Sequence, residues 1–136
     1  MATAFQLRIV TPSRQLLDEE VREVTGPGTL GEFGVLPDHI TFLTSLEIGA
    51  LSFRSDRGVQ RLAVRGGFAE VANNVMTVLA DDAVFSEDID AAAARSDLQA
   101  AEAQVKDLSP LDEGYAAADS NRRWAQARIE VAGAGH

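Results

Sequence analysis

The chain of 136 residues is 46% apolar and 24% charged, which are average values for a globular protein and exclude a disordered or collagen-like chain. Its length fits one domain, or one small domain with an appendage, and excludes a large multidomain enzyme. The formal net charge of -9 disfavours nucleic acid as the main partner, and zero cysteines exclude disulfide bonds, thiolate metal sites and a cysteine nucleophile.

The amino-terminal segment has no basic region followed by an apolar run, and no later stretch approaches about 18 apolar residues. We therefore expect a chain that carries no such export signal and does not span a membrane.

Alternation marks the first predicted strand, in which Phe5, Leu7 and Ile9 point to one face. Two hairpins follow farther along the chain. One joins 50–54 to 59–64 through a turn at 55–58, and the other joins 68–71 to 75–79 through Asn73 and Asn74, which tolerate positive φ. Short strands about ten residues apart favour a sandwich or barrel over parallel βαβ units.

The composition changes near residue 86. All six Phe and most of the Val, Ile and Gly lie in residues 1–86, whereas most of the Ala follows. Ala-rich charged sequence favours helix, and β-branched and aromatic residues favour strands. We predict a mostly β plus α fold, with an amino-terminal antiparallel β-sandwich domain over residues 1–86 and a carboxy-terminal α-helical hairpin over residues 87–136.

Two helices are predicted after Ser86, which can cap the first of them. That helix ends at Ser109-Pro110 and has a narrow apolar seam of Ala94, Leu98, Ala101, Val105 and Leu108. The second covers about 112–131, with Gly133 beyond its end and a weaker seam of Ala117, Ser120, Trp124, Ala127 and Val131. Such a small hairpin is expected to rest on the β domain or on a partner.

The glycines from Gly26 to Gly31 match the dinucleotide pattern GxGxxG, but Gly34 and Pro37 follow where that site needs a helix. We therefore expect a loop with unusual backbone angles that exposes Glu32 and Phe33, and no nucleotide site.

His39 is the one histidine before the terminal His136, and no motif supplies co-ligands for a metal or a nucleophile for a hydrolase. A structural or capping role fits it better. The acidic residues between Asp81 and Asp90 are interpreted as a solvated joint and a helix start, since they lack the glycine turn of a calcium loop. Arg122, Arg123 and Arg128 fit either ordinary solubilising charge or a basic patch for an acidic partner.

Two sequence blocks, in order, resemble the epsilon subunit of F-type ATP synthases. Residues 31–39 (GEFGVLPDH) are similar to the family pattern G-E-x-G-x-x-P-G-H. Residues 66–71 (GGFAEV) and 75–83 (VMTVLADDA) are similar to its second block, G-G-x-x-E-V followed by V-T-V-L-A-D-x-A. The resemblance extends over essentially the whole chain. Asp38 replaces the usual Gly before His39, and Glu47-Ile48-Gly49 stands where Pro-Gly is common.

The resemblance implies a sandwich and helical hairpin, as the composition does, and a non-catalytic rotor subunit without a cofactor. It implies contacts with the gamma subunit and the c-ring, and a peripheral location on the cytoplasmic face of the bacterial inner membrane within the complex. Glu32 matches the family's ring-contact loop, and Phe33 and His39 are assigned to the same contact.

The resemblance also implies that the hairpin can restrain ATP hydrolysis, with Arg122, Arg123 and Arg128 as candidate contacts to an acidic segment of the beta subunit. Some family members bind ATP through I/L-D-x-x-R-A. Here Ile89, Asp90 and Ala94 match that motif, but Ala93 replaces its arginine, so we expect weak or absent ATP binding. The alternatives are a stand-alone sandwich binding module with a helical dimerisation tail and, more remotely, a hydrolase.

Overall fold

The structure is a computed structural model that describes residues 2–134. Its eight strands are β1 Phe5–Val10, β2 Gln15–Val21, β3 Glu23–Gly28, β4 Gly31–Val35, β5 Phe42–Ser55, β6 Gly58–Ala72, β7 Val75–Ala80 and β8 Ala83–Phe85. A 3-10 turn over Ser86–Asp88 precedes two helices, α1 Ala91–Lys106 and α2 Tyr115–Ala134. This order of strands and then a helical hairpin confirms the predicted fold class.

The strands form one hydrogen-bonded sheet in the order β2-β1-β7-β6-β5-β3-β4, and β8 pairs with β6. Strands β5 and β6, at 14 and 15 residues, are long enough to belong to both layers of the sandwich. Their pairing skips Glu47 and Gly66, between the pairs Leu46↔Gly67 and Ile48↔Arg65, without a change of register. Beyond the skip β6 changes its other partner from β7 to β8, so the long ribbon turns from one layer into the other.

One strand pair departs from the expected antiparallel arrangement, because β1 and β7 run parallel, with Leu7 opposite Met76. The cause lies at the Asn73-Asn74 turn. The Gln6 N–H donates to the Asn74 carbonyl at 3.1 Å, so β1 starts beside this turn and runs in the same direction as β7. The positive φ angles of Asn73 and Asn74, 52° and 62°, confirm the predicted tight turn.

The sandwich core is built from the strands alone among the residues that the structure describes. Phe5, Leu7 and Ile9 are all buried, as their alternation predicts. Other large and fully buried members are Val21, Val24, Leu51, Phe53, Leu62, Met76 and Val78. No residue of α1 or α2 belongs to this cluster, so the helices pack outside a core that the strands complete.

The first helix begins later than Ser86, which we expected to cap it. Ser86 lies in the 3-10 turn, and α1 is capped by Asp90, whose carboxylate accepts a hydrogen bond from the Ala93 N–H at 3.0 Å. Ile89 keeps an extended backbone and packs its side chain toward the sandwich, which delays the helix by one turn.

The second helix is shifted relative to the predicted 112–131, and Gly133 lies inside it rather than beyond its end. Asp112 is used in the link between the helices, where its carboxylate accepts from the Ser109 N–H at 2.7 Å. Gly114, with φ of 87°, separates this turn from α2.

All five residues of the predicted seam are buried or half-buried, as expected. Helix α1 ends at Lys106, earlier than predicted, so Leu108 lies in the link that follows it. In α2 the seam is only partly right, because Trp124, Ala127 and Val131 are buried but Ala117 is exposed. A second buried stripe was missed, consisting of Ala118, Ala125 and Ala132. Helix α2 contacts α1 and also β5 and β6, so it buries more than one face.

Within the described residues, neither helix is both apolar and long enough to cross a bilayer.

Candidate functional site

The glycine-rich segment is a β-hairpin, not the loop that we predicted. Gly26 pairs with Phe33, and Gly28 pairs with Gly31 across β3 and β4. The Phe33 ring lies over these glycines, and a Cβ added to Gly26 would come within 2.8 Å of its Cζ. Gly26 thus leaves room for an aromatic ring on the neighbouring strand, whereas a Cβ on Gly28 would first meet the Gly31 carbonyl oxygen at 2.7 Å. Gly31 has open space around it and is required instead by its φ of 118°.

Glu32 and Phe33 differ in exposure because alternate residues of β4 point to opposite faces. Glu32 is exposed, as predicted. Phe33 is half-buried, with its ring centroid 5.6 Å from that of Phe42, and it packs against the sandwich core. The expectation that Phe33 is displayed to solvent is thus only partly right.

His39 lies in the loop over residues 36–41, where its N–H donates to the Leu36 carbonyl at 3.2 Å. Its Nδ1 is 2.8 Å from the Ile40 carbonyl oxygen, and because a carbonyl only accepts, Nδ1 is the donor, whereas Nε2 makes no hydrogen bond with residues 2–134. The imidazole stands edge-on to Phe42 at 5.7 Å. Phe42, which sequence reasoning missed, therefore joins His39 to Phe33.

The loop also explains one departure from the family pattern. Asp38 has φ of 62°, the left-handed conformation that glycine would adopt without strain. On either side of His39, Leu36 and Ile40 are exposed, and Ile40 keeps 78% of its surface in solvent. This loop and the hairpin tip thus present Glu32, the imidazole and two apolar side chains.

An apolar stripe crosses the outer face of three neighbouring strands. Phe68 of β6 lies directly opposite Leu79 of β7, and Leu43 of β5 lies diagonally from Phe68, since Leu43 pairs with Glu70. All three are more than half exposed. We call Leu43, Phe68 and Leu79 the outer stripe. Sequence reasoning missed the stripe. The alternation in β6 could have revealed it, because Phe68 and the charged Glu70 are two residues apart and therefore share the solvent face of the strand.

Helix α2 rests on the sandwich through a small second cluster, which we call the docking cluster. Its buried members are Ala63, Trp124 and Val131, with Ile48, Val84 and Ile89 half-buried around them. This contact is much smaller than the sandwich core and is supplemented by polar contacts at its edge.

Two of these polar contacts join α2 to the long strands. The Arg123 guanidinium pairs with Glu47 of β5 at 2.5 Å. Arg65 of β6 donates to the Ser120 hydroxyl at 3.0 Å and to the Asn121 side-chain carbonyl at 2.7 Å. Glu47, at the second departure from the family pattern, therefore has a partner on the helix.

The three arginines of α2 do not form one patch, because their guanidinium groups point to different neighbours. Arg122 pairs with Asp119 one turn earlier at 2.6 Å, and the hydrogen bond from this pair raises the pKa of Arg122 above its ordinary value. Arg128 pairs with Asp97 of α1 at 3.0 Å and lies 5.5 Å from the Trp124 ring centroid. With Arg123 on Glu47, all three are held by carboxylates of the same chain.

The residues that match the nucleotide-binding motif all have structural roles in this fold. Asp90 caps α1, Ile89 packs at the docking cluster and Ala94 is fully buried. Ala93 contributes its backbone N–H to the cap, and its side chain brings no charge to the place of the motif's arginine. Among residues 2–134, no group of three or more His, Asp or Glu is placed to hold a metal ion.

Comparison with known proteins identifies the family. The sequence model described as ATP synthase, Delta/Epsilon chain, beta-sandwich domain matches residues 4–86. The ATP synthase epsilon chain 2 of Syntrophotalea carbinolica is 43% identical over 135 residues, which are 99% of this chain and 98% of that relative. The chain belongs to the ATP synthase delta/epsilon chain family.

Likeness to the epsilon chains includes the helices, which the sandwich model leaves out. The ATP synthase epsilon chain of Geotalea daltonii is 43% identical over 133 residues, covering 98% of this chain and 96% of the relative. A chain in a structure titled Euglena gracilis mitochondrial ATP synthase, OSCP/F1/c-ring, has the same fold, with a TM-score of 0.82 and 24% identity over 100% of this chain and 84% of that chain. The likeness in sequence to the epsilon chains, and in fold to the Euglena chain, thus extends over both the sandwich and the hairpin.

Proposed function

We propose that the chain is a non-catalytic central-stalk subunit of an F-type ATP synthase, which couples c-ring rotation to ATP synthesis. Residues 1–86 form the domain that binds the rotor, and residues 87–136 form the regulatory hairpin, of which 135 and 136 lie outside the described residues. The subunit works as a peripheral part of the complex on the cytoplasmic face of the bacterial inner membrane.

The outer stripe carries this proposal. Leu43, Phe68 and Leu79 are neighbouring, exposed apolar side chains on one face of the sheet, which is typical of a protein contact. We assign it to the gamma subunit. The c-ring contact lies at the tip of β4 and the loop over 36–41, where Glu32, His39 and partly Phe33 supply a charge, an open imidazole nitrogen and an aromatic edge.

The stripe is tested with Phe68→Glu, added as purified full-length chain to a catalytic head that contains gamma but lacks epsilon. Val59→Glu is the matched control, because Val59 is 53% exposed, as Phe68 is, and lies at the β5-β6 hairpin away from the stripe. We expect Phe68→Glu to lower the affinity at least about tenfold, since a buried interface charge costs about 1.4 kcal/mol or more. Equal affinities of the two variants would refute the assignment.

We further propose that the hairpin restrains ATP hydrolysis by contacting alpha and beta subunits, with Arg122, Arg123 and Arg128 meeting an acidic segment of beta. In the docked hairpin these guanidinium groups are paired with Asp119, Glu47 and Asp97. Arg123 must leave Glu47, and Arg128 must leave Asp97, before either can bind a partner. A small docking cluster makes this release feasible.

Deletion of residues 87–136 tests the regulatory role. Because the sandwich core contains no helical residue, we expect the shortened chain to fold and to bind the rotor while hydrolysis by the reconstituted enzyme rises. Unchanged hydrolysis with binding preserved would contradict the inhibition and leave the rotor role intact.

Weak or absent ATP binding is expected with Ala93 in the motif, and micromolar affinity in equilibrium dialysis would contradict it.

A further inference from the structure

The Asn73-Asn74 turn carries a side chain that bonds outside its own hairpin. The Asn74 Oδ1 accepts a hydrogen bond from the Asp38 N–H at 2.9 Å, and its Nδ2 donates to the Ala4 carbonyl at 2.8 Å. Only one orientation of the amide satisfies both partners, since an N–H group must meet an acceptor and a carbonyl must meet a donor. The Asn74 side chain therefore connects the loop over 36–41 to the segment before β1.

Among residues 2–134, the loop over 36–41 is hydrogen-bonded to the rest of the chain through Asp38, and its imidazole packs edge-on to Phe42. It lies between β4 and β5 and contains no strand residue, and its His39 N–H bonds back to Leu36 within the loop. Asp38 is its anchor, with its backbone N–H on Asn74 and its carboxylate accepting from the Ala2 N–H at 2.9 Å. The left-handed φ of Asp38 is strained for a residue with a side chain, so its conformation needs support from these partners.

We propose that Asn74 is a positioning residue for the c-ring contact. By holding Asp38, it fixes the direction in which His39 and Ile40 leave the loop before the partner arrives. A preformed loop binds more tightly than one that must be ordered on binding. This inference rests on the proposed function, because it assigns to Asn74 the support of the surface that we assign to the ring.

Asn73 provides a matched control within the same turn. Its φ of 52° resembles the 62° of Asn74. Asn74 makes the two side-chain bonds described above, whereas Asn73 makes none with any residue from 2 to 134. Glycine adopts positive φ without strain, so Asn→Gly at either position keeps the turn and removes one side chain.

The test compares Asn74→Gly, Asn73→Gly and Asn74→Asp in the full-length chain. In the isolated protein, amide hydrogen exchange of Asp38 should accelerate about fivefold or more in Asn74→Gly, the ratio expected for one lost hydrogen bond, and should stay unchanged in Asn73→Gly. Asn74→Asp keeps an oxygen that can accept from the Asp38 N–H, but it sets a second carboxylate oxygen against the Ala4 carbonyl, so it should restore only part of the protection.

The same three variants are then titrated onto the c-ring with bound gamma from the same organism. We expect an affinity about fivefold lower for Asn74→Gly than for Asn73→Gly, with Asn74→Asp between the two. Faster Asp38 exchange with equal ring affinity would overturn the positioning role, as would equal effects of both glycine variants. If the unmodified chain does not bind the ring, the proposed function itself fails. Asp38 exchange in the isolated protein still tests the Asn74–Asp38 hydrogen bond in that case, so the two failures are distinguishable.

Discussion

Phe33 shows how a single contact determines sequence on two strands. Its ring occupies the space above Gly26 and Gly28, where a Cβ would meet ring carbons at 2.8 Å and 3.1 Å. Sequence reasoning argued against a dinucleotide helix here because Gly34 and Pro37 follow, and the segment forms the strands β3 and β4. It could not find the hairpin, since glycine and proline are rare within strands and their use depends on a partner on the neighbouring strand.

Gly67 is the position where the backbone tolerates a side chain least. Its φ is 109°, and an added Cβ would lie 1.9 Å from the Leu79 carbonyl oxygen. Gly58 has a nearly equal φ of 107° but open space around it. We expect Gly58→Ala to lower the free energy of unfolding by about 1–3 kcal/mol from strain, and Gly67→Ala by about 1–3 kcal/mol more from the clash. Urea unfolding measures the loss of stability in each variant, and equal losses would contradict the proposed clash at Gly67.

The β5-β6 hairpin tip is tied to the sandwich by Arg22, which donates to Asp56 at 2.8 Å and to the Thr3 carbonyl at 3.2 Å. The hydrogen bond and charge of Arg22 lower the pKa of Asp56 below its ordinary 3.8. The pair therefore stabilises the fold above pH 3.8, and this contribution is lost as the pH falls further, through the lowered pKa. A carboxyl-carbon NMR titration of Asp56 should show a midpoint below 3.8 that returns toward 3.8 in Arg22→Gln; an unmoved midpoint would argue against the pairing.

At the scale of elements, the hairpin shows where sequence patterns suffice and where they fail. The seam of α1 was predictable because one apolar stripe of four- and three-residue spacings describes it. Helix α2 has two neighbours, so its buried residues include both Trp124 and the stripe from Ala118 to Ala132. Alanine is as common on exposed helix faces as in close contacts, and sequence alone did not separate Ala117 from Ala118.

The candidate site, too, was only partly predictable from sequence patterns. Glu32 and His39 were singled out because the family pattern assigns its ring contact to that loop. Phe42 and the outer stripe occupy strand positions whose exposure depends on register, so their presence in or near the family blocks did not mark them. Likewise, no spacing rule connects Glu47 to Arg123, which are 76 positions apart and meet only when α2 docks. Long-range pairings of this kind arise from the fold and leave no local signal.

The contact between Glu47 and Arg123 should measurably hold α2 on the sandwich. Both side chains are about 40% exposed, so the pair contributes about 0.2–1 kcal/mol, and Glu47→Gln should raise the opening equilibrium of α2 by a factor of about 1.4 to 5. Amide exchange of α2 relative to β1 measures the opening at low salt. Glu23→Gln is the control, because Glu23 is similarly exposed and pairs with Arg54 on the sandwich. Equal amide exchange of α2 in the two variants would show that the Glu47–Arg123 pair does not hold α2 on the sandwich.

At the scale of the whole molecule, the chain consists of a complete sandwich and a hairpin that leans on it. The sandwich core contains only strand residues among those described, and the docking cluster is small and edged with ion pairs. This asymmetry suits a subunit whose sandwich stays fixed to the rotor while its hairpin changes partners. The outer stripe lies on the sandwich, as do the tip of β4 and the loop over 36–41. Both proposed rotor contacts are therefore independent of the hairpin's position.

Site-directed cross-linking tests the rotor role most directly, since the chain has no cysteine of its own. Single variants Phe68→Cys, Glu32→Cys and Val59→Cys are labelled with a short photoactivatable maleimide and assembled into the complete ATP synthase. We predict that position 68 cross-links to gamma, that position 32 cross-links to a c subunit, and that position 59 gives neither product. Cross-linking of position 59 to gamma as strong as that of position 68, or no c-subunit product from position 32, would contradict the proposed placement on the rotor.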